Sequence, residues 1–62
     1  MDKDLLNKFI GKTVKIKLDS GFFLVGIIDQ TSDDFLLFRT PQKTSLIHVD
    51  EIRELIPVEN NE

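Results

Sequence analysis

Residues 14–39, VKIKLDSGFFLVGIIDQTSDDFLLFR, decide the fold of this chain. Apolar residues alternate with lysines at the start of this segment, and two further apolar runs follow after the turn-forming sequences Ser20-Gly21 and residues 31–34. Alternation with a period of two, interrupted by short polar turns, is typical of antiparallel strands. The segment therefore predicts a three-stranded meander, in which Gly26 marks a bend that curls the sheet.

Outside this segment, the pattern predicts one helix and two more strands. A single apolar stripe predicts a helix over about residues 2–10, with Asp2 as its N-cap and Gly11 at its C-terminal end; the stripe consists of Leu5, Leu6, Phe9 and Ile10. The strands are expected at about residues 12–19, 22–30, 35–39, 44–49 and 52–56, followed by a disordered tail at 58–62. The expected fold is a mainly β, small, five-stranded and strongly bent antiparallel barrel with a short N-terminal α-helix, forming one domain over residues 1–57.

The second and third strands carry more apolar side chains than one small barrel can bury. Both strands are apolar on both faces, and such strands are expected to be buried on both. A chain of 62 residues with no Cys and one His has neither disulfides nor a cluster of zinc ligands to add stability. We therefore expect the chain to form a homo-oligomer and to need no metal or cofactor.

Charge and hydropathy narrow the class of protein. A formal net charge of −3 disfavours broad, non-specific nucleic-acid binding but permits a local basic patch. No apolar run approaches the roughly 18 residues of a membrane span, and the first four residues do not resemble a signal peptide. Together with the absence of Cys, these features predict a cytoplasmic protein with no membrane partner.

The predicted arrangement resembles the Sm-like fold shared by Sm, LSm and Hfq proteins. The resemblance runs from the helix to Pro57, and its matching elements are Leu6 and Phe9, Val14-x-Ile16-x-Leu18-x-x-Gly21, Gly26-x-Ile28, Asp33-Asp34-Phe35-Leu36-Leu37 and Ile47-His48-Val49-Asp50-Glu51-Ile52. It implies a ring of roughly six or seven copies, in which the fourth strand of one subunit pairs with the fifth strand of the next. The interface would then comprise Leu46, Ile47, Val49, Ile52, Leu55 and Ile56.

The uridine-binding residues of the family are mostly missing from this chain. Sm and LSm proteins hold a uracil with an Asn and an Arg-Gly pair, and the corresponding positions here are Leu36 and His48-Val49. Hfq uses a Tyr-Lys-His run, where this chain has His48-Val49-Asp50. The motif from Ile47 to Ile52 looks closer to that of short Sm-like proteins of spore-forming bacteria.

Candidate RNA contacts remain on the strands. They are His48, which the resemblance places near a ring pore, and a possible basic strip on the outer sheet surface formed by Lys15, Lys17, Arg39 and Lys43. The alternative interpretation is a solvent-facing His and solubility charges close in sequence to Asp19 and Asp29.

The phenylalanines are the candidate base-stacking residues. Phe22, Phe23, Phe35 and Phe38 are expected to lie mostly in the core or in an interface. Phe23 and Phe38 are expected on faces that a single barrel leaves open, where a nucleic-acid base could stack.

No residue pattern predicts catalysis or a small-molecule substrate. Asp33-Asp34 is explained by a turn, and the sequence contains no nucleophile–base pair and no phosphate-binding glycine loop. Two functions therefore stay open: a ring-forming, RNA-associated Sm-like module, or a protein-interaction module of the same fold with no RNA role. A monomeric SH3-type barrel within a complex is a third interpretation.

Overall fold

The five predicted strands are present in the structure, a computed structural model that describes residues 3–58. The elements in chain order are α1 (Lys3–Asn7), β1 (Thr13–Leu18), β2 (Phe23–Thr31), β3 (Phe35–Arg39), β4 (Thr44–His48), a 3-10 turn (Val49–Glu51) and β5 (Ile52–Pro57). The strand ends differ from the predicted ones by no more than two residues, because turn-forming residues mark them in the sequence. Val58 is described, whereas residues 59–62 of the predicted tail lie outside the described residues.

The strands form one antiparallel sheet in the order β4-β3-β2-β1-β5. The sheet is open, since β4 and β5 are its two edges and do not pair with each other. The mainly β class, the five antiparallel strands and the short helix are as expected. The closed barrel is not formed by the described residues.

Helix α1 is shorter than the predicted nine residues. The main chain leaves α-helical geometry after Asn7 through bonds of the i to i+3 type, such as that from Phe9 N to Leu6 O at 2.9 Å. Gly11 N then donates to Ile28 O at 2.7 Å, so the chain joins β2 instead of continuing the helix. Asp2, the predicted N-cap, lies outside the described residues. Gly11 does adopt a positive φ of 83°, but four residues beyond the helix end.

Only half of the predicted helical stripe packs on the sheet. Leu6 is fully buried and Phe9 packs against the core, whereas Leu5 and Ile10 are exposed. The hydroxyl of Thr31 donates to Asn7 Oδ1 and links the end of α1 to β2. The helix therefore closes one end of the core with a single turn.

The core lies on the concave face of the bent sheet. On β1 the alternation is confirmed, with Val14 and Ile16 buried between outward-facing lysines. The remaining core side chains are Leu6, Ile28, Leu36, Phe38, Ile47, Val49 and Ile52. Phe38 corrects a prediction: it is fully buried and is the largest buried side chain, so it offers no open face.

The outer face of β2 is open, as expected for Phe23. Phe23 and Val25 are 48% and 49% exposed, and their cover by a neighbouring copy stays a prediction. Helix α1 packs over the concave side, and no element formed by residues 3–58 covers the convex side of β2. Phe22, which precedes the strand, is still more exposed.

Gly26 brings two strands into unusually close approach. A β-carbon built at Gly26 would lie 2.3 Å from the carbonyl oxygen of Arg39 and 3.0 Å from a ring carbon of Phe38. At Gly26 the end of β3 lies directly on the main chain of β2, whereas the register shift of the β2–β3 ladder falls between Ile28 and Gln30. Only glycine leaves room for that contact.

The 3-10 turn joins the two edges and is anchored at both ends. Val49 N donates to Asp34 O at 2.9 Å, and Asp19 N donates to Glu51 O at 2.8 Å. The first bond holds the turn to the start of β3 and the second holds it to the hairpin after β1. The 3-10 turn therefore fixes where β5 begins.

Candidate functional site

The most distinctive surface feature is an aromatic ring flanked by two ammonium groups. Lys15 Nζ lies 4.5 Å and Lys17 Nζ lies 5.8 Å from the centroid of the Phe23 ring. We call these three residues the Phe23 cluster. Both distances fall within the range of cation–π attraction.

Strand register produces the Phe23 cluster. In the β1–β2 ladder Phe23 pairs with Lys17 and Val25 pairs with Lys15. Residues two apart on a strand share a face, so both lysines emerge on the convex side beside the ring. Phe23 is the first residue of β2, where the β1–β2 ladder fixes its main chain. Its main chain therefore loses little conformational entropy when a ligand binds.

On its other side, β1 is flanked by β5. Ile56 lies opposite Lys15 and Glu54 lies opposite Lys17. Val25 and Ile56 are both exposed, so the two lysines stand in an otherwise apolar surface with one carboxylate at its margin. The surface can accept a planar apolar group on the ring and anionic groups on the lysines.

Arg39 and Lys43 do not continue this cluster as an unbroken basic strip. Arg39 Nη2 lies 3.6 Å from Asp29 Oδ1, with both side chains about half exposed. Lys43 belongs to the β3–β4 turn, where its main-chain N–H donates to the hydroxyl of Thr40 at 3.2 Å. The predicted strip is thus interrupted by an ion pair, and Lys15 and Lys17 form its better-defined part.

A shallow depression lies between Arg39 and the convex face of β2. Its volume is ≈ 380 Å³, and its lining is Thr13, Val25, Gly26, Ile27, Arg39, Thr40 and Pro41. Val25 belongs to both the depression and the border of the Phe23 cluster.

His48 lies on the outer face of β4, on the side opposite its buried neighbours Ile47 and Val49. Its ring contacts Phe35 edge-to-face at a centroid distance of 5.1 Å. His48 Nδ1 accepts a hydrogen bond from Asp50 N at 3.2 Å and so caps the 3-10 turn. Nδ1 therefore carries no proton in this arrangement, and Nε2 bears the N–H of the neutral ring.

The six predicted interface residues divide into three groups by burial. Ile47, Val49 and Ile52 are buried in the protomer's own core. Leu46 is 65% exposed and Ile56 is 39% exposed, while Leu55 is partly buried against the core. The prediction of an interface therefore depends on Leu46 and Ile56, which lie on the two edge strands.

The free edge of β4 presents main-chain hydrogen-bonding groups to solvent. The bond from Val49 N to Asp34 O fixes which residues of β4 bond to β3, because in an antiparallel ladder only every second residue faces its partner strand. By that alternation, the main-chain N–H and C=O groups of Thr44, Leu46 and His48 point away from β3. Such groups favour addition of another strand.

The free edge of β5 is built in the same way. Val58 N donates to Thr13 O at 3.1 Å, so the main chain of Ile56 faces β1 and the main-chain groups of Leu55 and Pro57 face outward. Pro57, having no N–H, therefore costs the β1–β5 ladder no hydrogen bond. It also limits how far a strand added to this edge could pair.

The acidic pairs of the sequence lie in turns. Before β3 it is the hydroxyl of Ser32 that accepts from Phe35 N at 3.1 Å, and Asp34 contributes its main-chain carbonyl to Val49. Among residues 3–58 there is no group of three or more potential metal ligands. In the same residues, no helix has the length and apolar character needed to traverse a bilayer.

Sequence reasoning named Lys15, Lys17 and Phe23 separately but did not bring them together. The signal was available in the hairpin: a four-residue connection closed by the bond from Gly21 N to Leu18 O puts Lys17 opposite Phe23.

In comparisons with known proteins, neither a family model nor a curated protein matches this chain. The Sm-like resemblance therefore stays a prediction.

Proposed function

We propose that this protein is a cytoplasmic, self-assembling Sm-like module that binds single-stranded RNA and carries out no catalysis. The observation on which RNA binding depends is the Phe23 cluster, which offers a ring for a base and two ammonium groups for phosphates. The observation that supports assembly is the pair of unpaired edges, β4 and β5, each with an exposed apolar side chain.

Assembly is proposed to extend the open sheet from one copy to the next. The outward main-chain groups of β4 and β5 find partners when the edge of one copy meets the other edge of its neighbour. A contact between two different edges closes into a ring if the rotation per copy permits. Leu46 and Ile56 would then leave water, and the Sm-like barrel would be completed by the neighbouring copy.

The oligomer's mass in solution tests this proposal. Sedimentation equilibrium at micromolar concentration is expected to give a multiple of the 7.1 kDa chain mass. Leu46→Asp places a carboxylate beside the β4 edge and is expected to release monomers. Phe22→Asp is the matched control, because Phe22 is equally exposed but lies away from both edges. A wild-type monomer, or an intact Leu46→Asp oligomer, would contradict edge pairing.

RNA is proposed to bind with a base against Phe23 and neighbouring phosphates on Lys15 and Lys17. Stacking on an exposed aromatic ring contributes about 1–3 kcal/mol per base. That gain exceeds the exposed cation–π contact that the base replaces, worth about 0.5–1 kcal/mol. Once displaced from the ring, Lys15 becomes available to a phosphate oxygen.

Mobility shifts with short A-rich and U-rich RNAs, at low salt and with the assembled protein, test RNA binding. We expect retardation that weakens as salt rises, because each lysine–phosphate contact releases a counterion. Absence of any shift at low salt, with the oligomer intact, would remove RNA from the proposal.

The same convex face also supports a second candidate, a protein-interaction module with no RNA role. Phe23, Val25 and Ile56 are exposed together, and exposed apolar groups with an aromatic anchor are typical of protein interfaces. The net charge of −3 favours this alternative. The absorbance ratio at 260 and 280 nm discriminates, since a chain without Trp and Tyr absorbs weakly at 280 nm and bound nucleic acid would dominate the spectrum until nuclease treatment.

A further inference from the structure

We propose that the Phe23 cluster binds single-stranded nucleic acid without selecting base sequence or sugar, so that DNA and RNA are equivalent ligands. This inference rests on the proposed function and specifies the ligand class of that site. It depends on what kinds of groups surround the ring.

The side chains around the cluster read the face of a base and not its edge. By strand register, the neighbours on the convex side are Lys15, Lys17, Val25, Glu54 and Ile56. Within the described residues, this set includes no amide and no hydroxyl; its lysines end flexible chains that hold no base edge in a fixed geometry, and Glu54 lies across β1 from the ring. Every base has a π-face, so stacking on Phe23 accepts all of them.

The Phe23 cluster likewise does not distinguish ribose from deoxyribose. Discrimination of RNA from DNA needs a positioned donor or acceptor at the 2′-hydroxyl. The two ammonium groups are flexible point charges that suit phosphate oxygens, which RNA and DNA share. Neither lysine has the fixed geometry that would distinguish ribose from deoxyribose.

Glu54 weakens phosphate binding on one side of this face. Its carboxylate lies opposite Lys17, across β1 from Phe23, and repels phosphates on that side. The phosphate on Lys17 is therefore expected to be held less tightly than the one on Lys15, and removing the charge of Glu54 is expected to strengthen binding of every ligand by a similar factor.

Fluorescence anisotropy with labelled rA, rC, dA and dC homopolymers of about 18 nucleotides tests the inference, since such lengths exceed one site of roughly 4–16 nucleotides. For the assembled wild type, we expect rA against dA and rC against dC to agree within about threefold, and A against C within about tenfold through stacking strength alone. Glu54→Gln is expected to tighten all four.

Phe23→Leu and Phe22→Leu form a matched pair of variants. Both residues are exposed phenylalanines of the same hairpin, so neither change is expected to unfold the protein. Phe23→Leu is expected to weaken all four ligands by on the order of tenfold, and Phe22→Leu to leave them unchanged.

Two kinds of outcome would overturn the inference, and they are distinguishable. RNA binding more than about tenfold tighter than DNA binding, or equal losses in the two leucine variants, would overturn the inference and leave RNA binding by the protein intact. Failure of all four homopolymers and of the A-rich and U-rich RNAs would overturn the proposed function as well.

Discussion

Replacing Gly26 with alanine would test how closely β2 and β3 approach each other. The added β-carbon would lie 2.3 Å from the carbonyl oxygen of Arg39, and real β-carbon contacts do not fall below 3.0 Å. The neighbouring atom is main chain and cannot rotate away. The end of β3 would have to retreat by roughly 0.7 Å, the gap between those two distances.

The cost follows from what that retreat disturbs. Overpacking of a filled site costs about 1–3 kcal/mol, and a weakened ladder bond near the Ile27–Arg39 pair adds about 1 kcal/mol. Alanine lowers the conformational entropy of the unfolded chain, and this stabilises the folded state by about 0.4–1 kcal/mol. The net expected loss in the free energy of unfolding is about 1–4 kcal/mol, or a fall in Tm of about 4–30 °C for a domain of this size.

Urea denaturation followed by far-ultraviolet circular dichroism measures this loss, since the chain has no Trp and no Tyr to report fluorescence. Wild type and variant should be compared at two protein concentrations, because self-association adds stability that depends on concentration. Far-ultraviolet dichroism also shows whether the sheet persists in the variant.

Gly21 provides the control. It has a φ of 96° and open space around a β-carbon, so alanine there costs about 1–2 kcal/mol through main-chain strain alone. Asparagine tolerates that conformation and should recover most of the loss at Gly21, whereas Gly26→Asn should be worse than Gly26→Ala. A Gly26→Ala variant within about 0.5 kcal/mol of wild type would refute the close approach.

Three further measurements address the core, the surface and the turn. Ile16→Ala, which empties a fully buried site, is expected to cost about 2–5 kcal/mol in urea denaturation, and a loss under about 1 kcal/mol would contradict its place in the core. Arg39→Gln breaks the exposed pair with Asp29 and should change stability by less than about 1 kcal/mol; a larger loss in thermal melts would mean that the pair is structurally important. His48→Ala removes the acceptor for Asp50 N and should cost about 1 kcal/mol, while His48→Asn should keep most of that stability; nitrogen NMR shifts should show the Nε2–H tautomer for the neutral ring of His48.

Local chemistry explains why the strands could be predicted so well. Period-two alternation in β1 and turn-forming residues such as Gly21 and Pro41 act over a few residues, and no distant part of the chain changes what they favour. The bounds of β3 match the prediction at both ends. The candidate cations and the exposed Phe23 were also recognisable from residue type and alternation.

Long-range packing explains what could not be predicted. Phe23 and Phe38 have the same side chain on similar apolar strands, yet one is half exposed and the other is fully buried. Which face becomes concave depends on how the sheet bends and on where α1 docks. Likewise, helix α1 stops at Asn7 because Gly11 finds its hydrogen-bond partner on β2.

The order of the residues by itself determined the five strands, their turns and the single short helix, since these depend on neighbours along the chain. Only the tertiary structure decided that Ile47 and Ile52 lie inside while Leu46 lies outside, and that two lysines share one aromatic ring. The physical reason is that burial and side-chain proximity across strands are set by sheet curvature and register, which no short segment specifies alone.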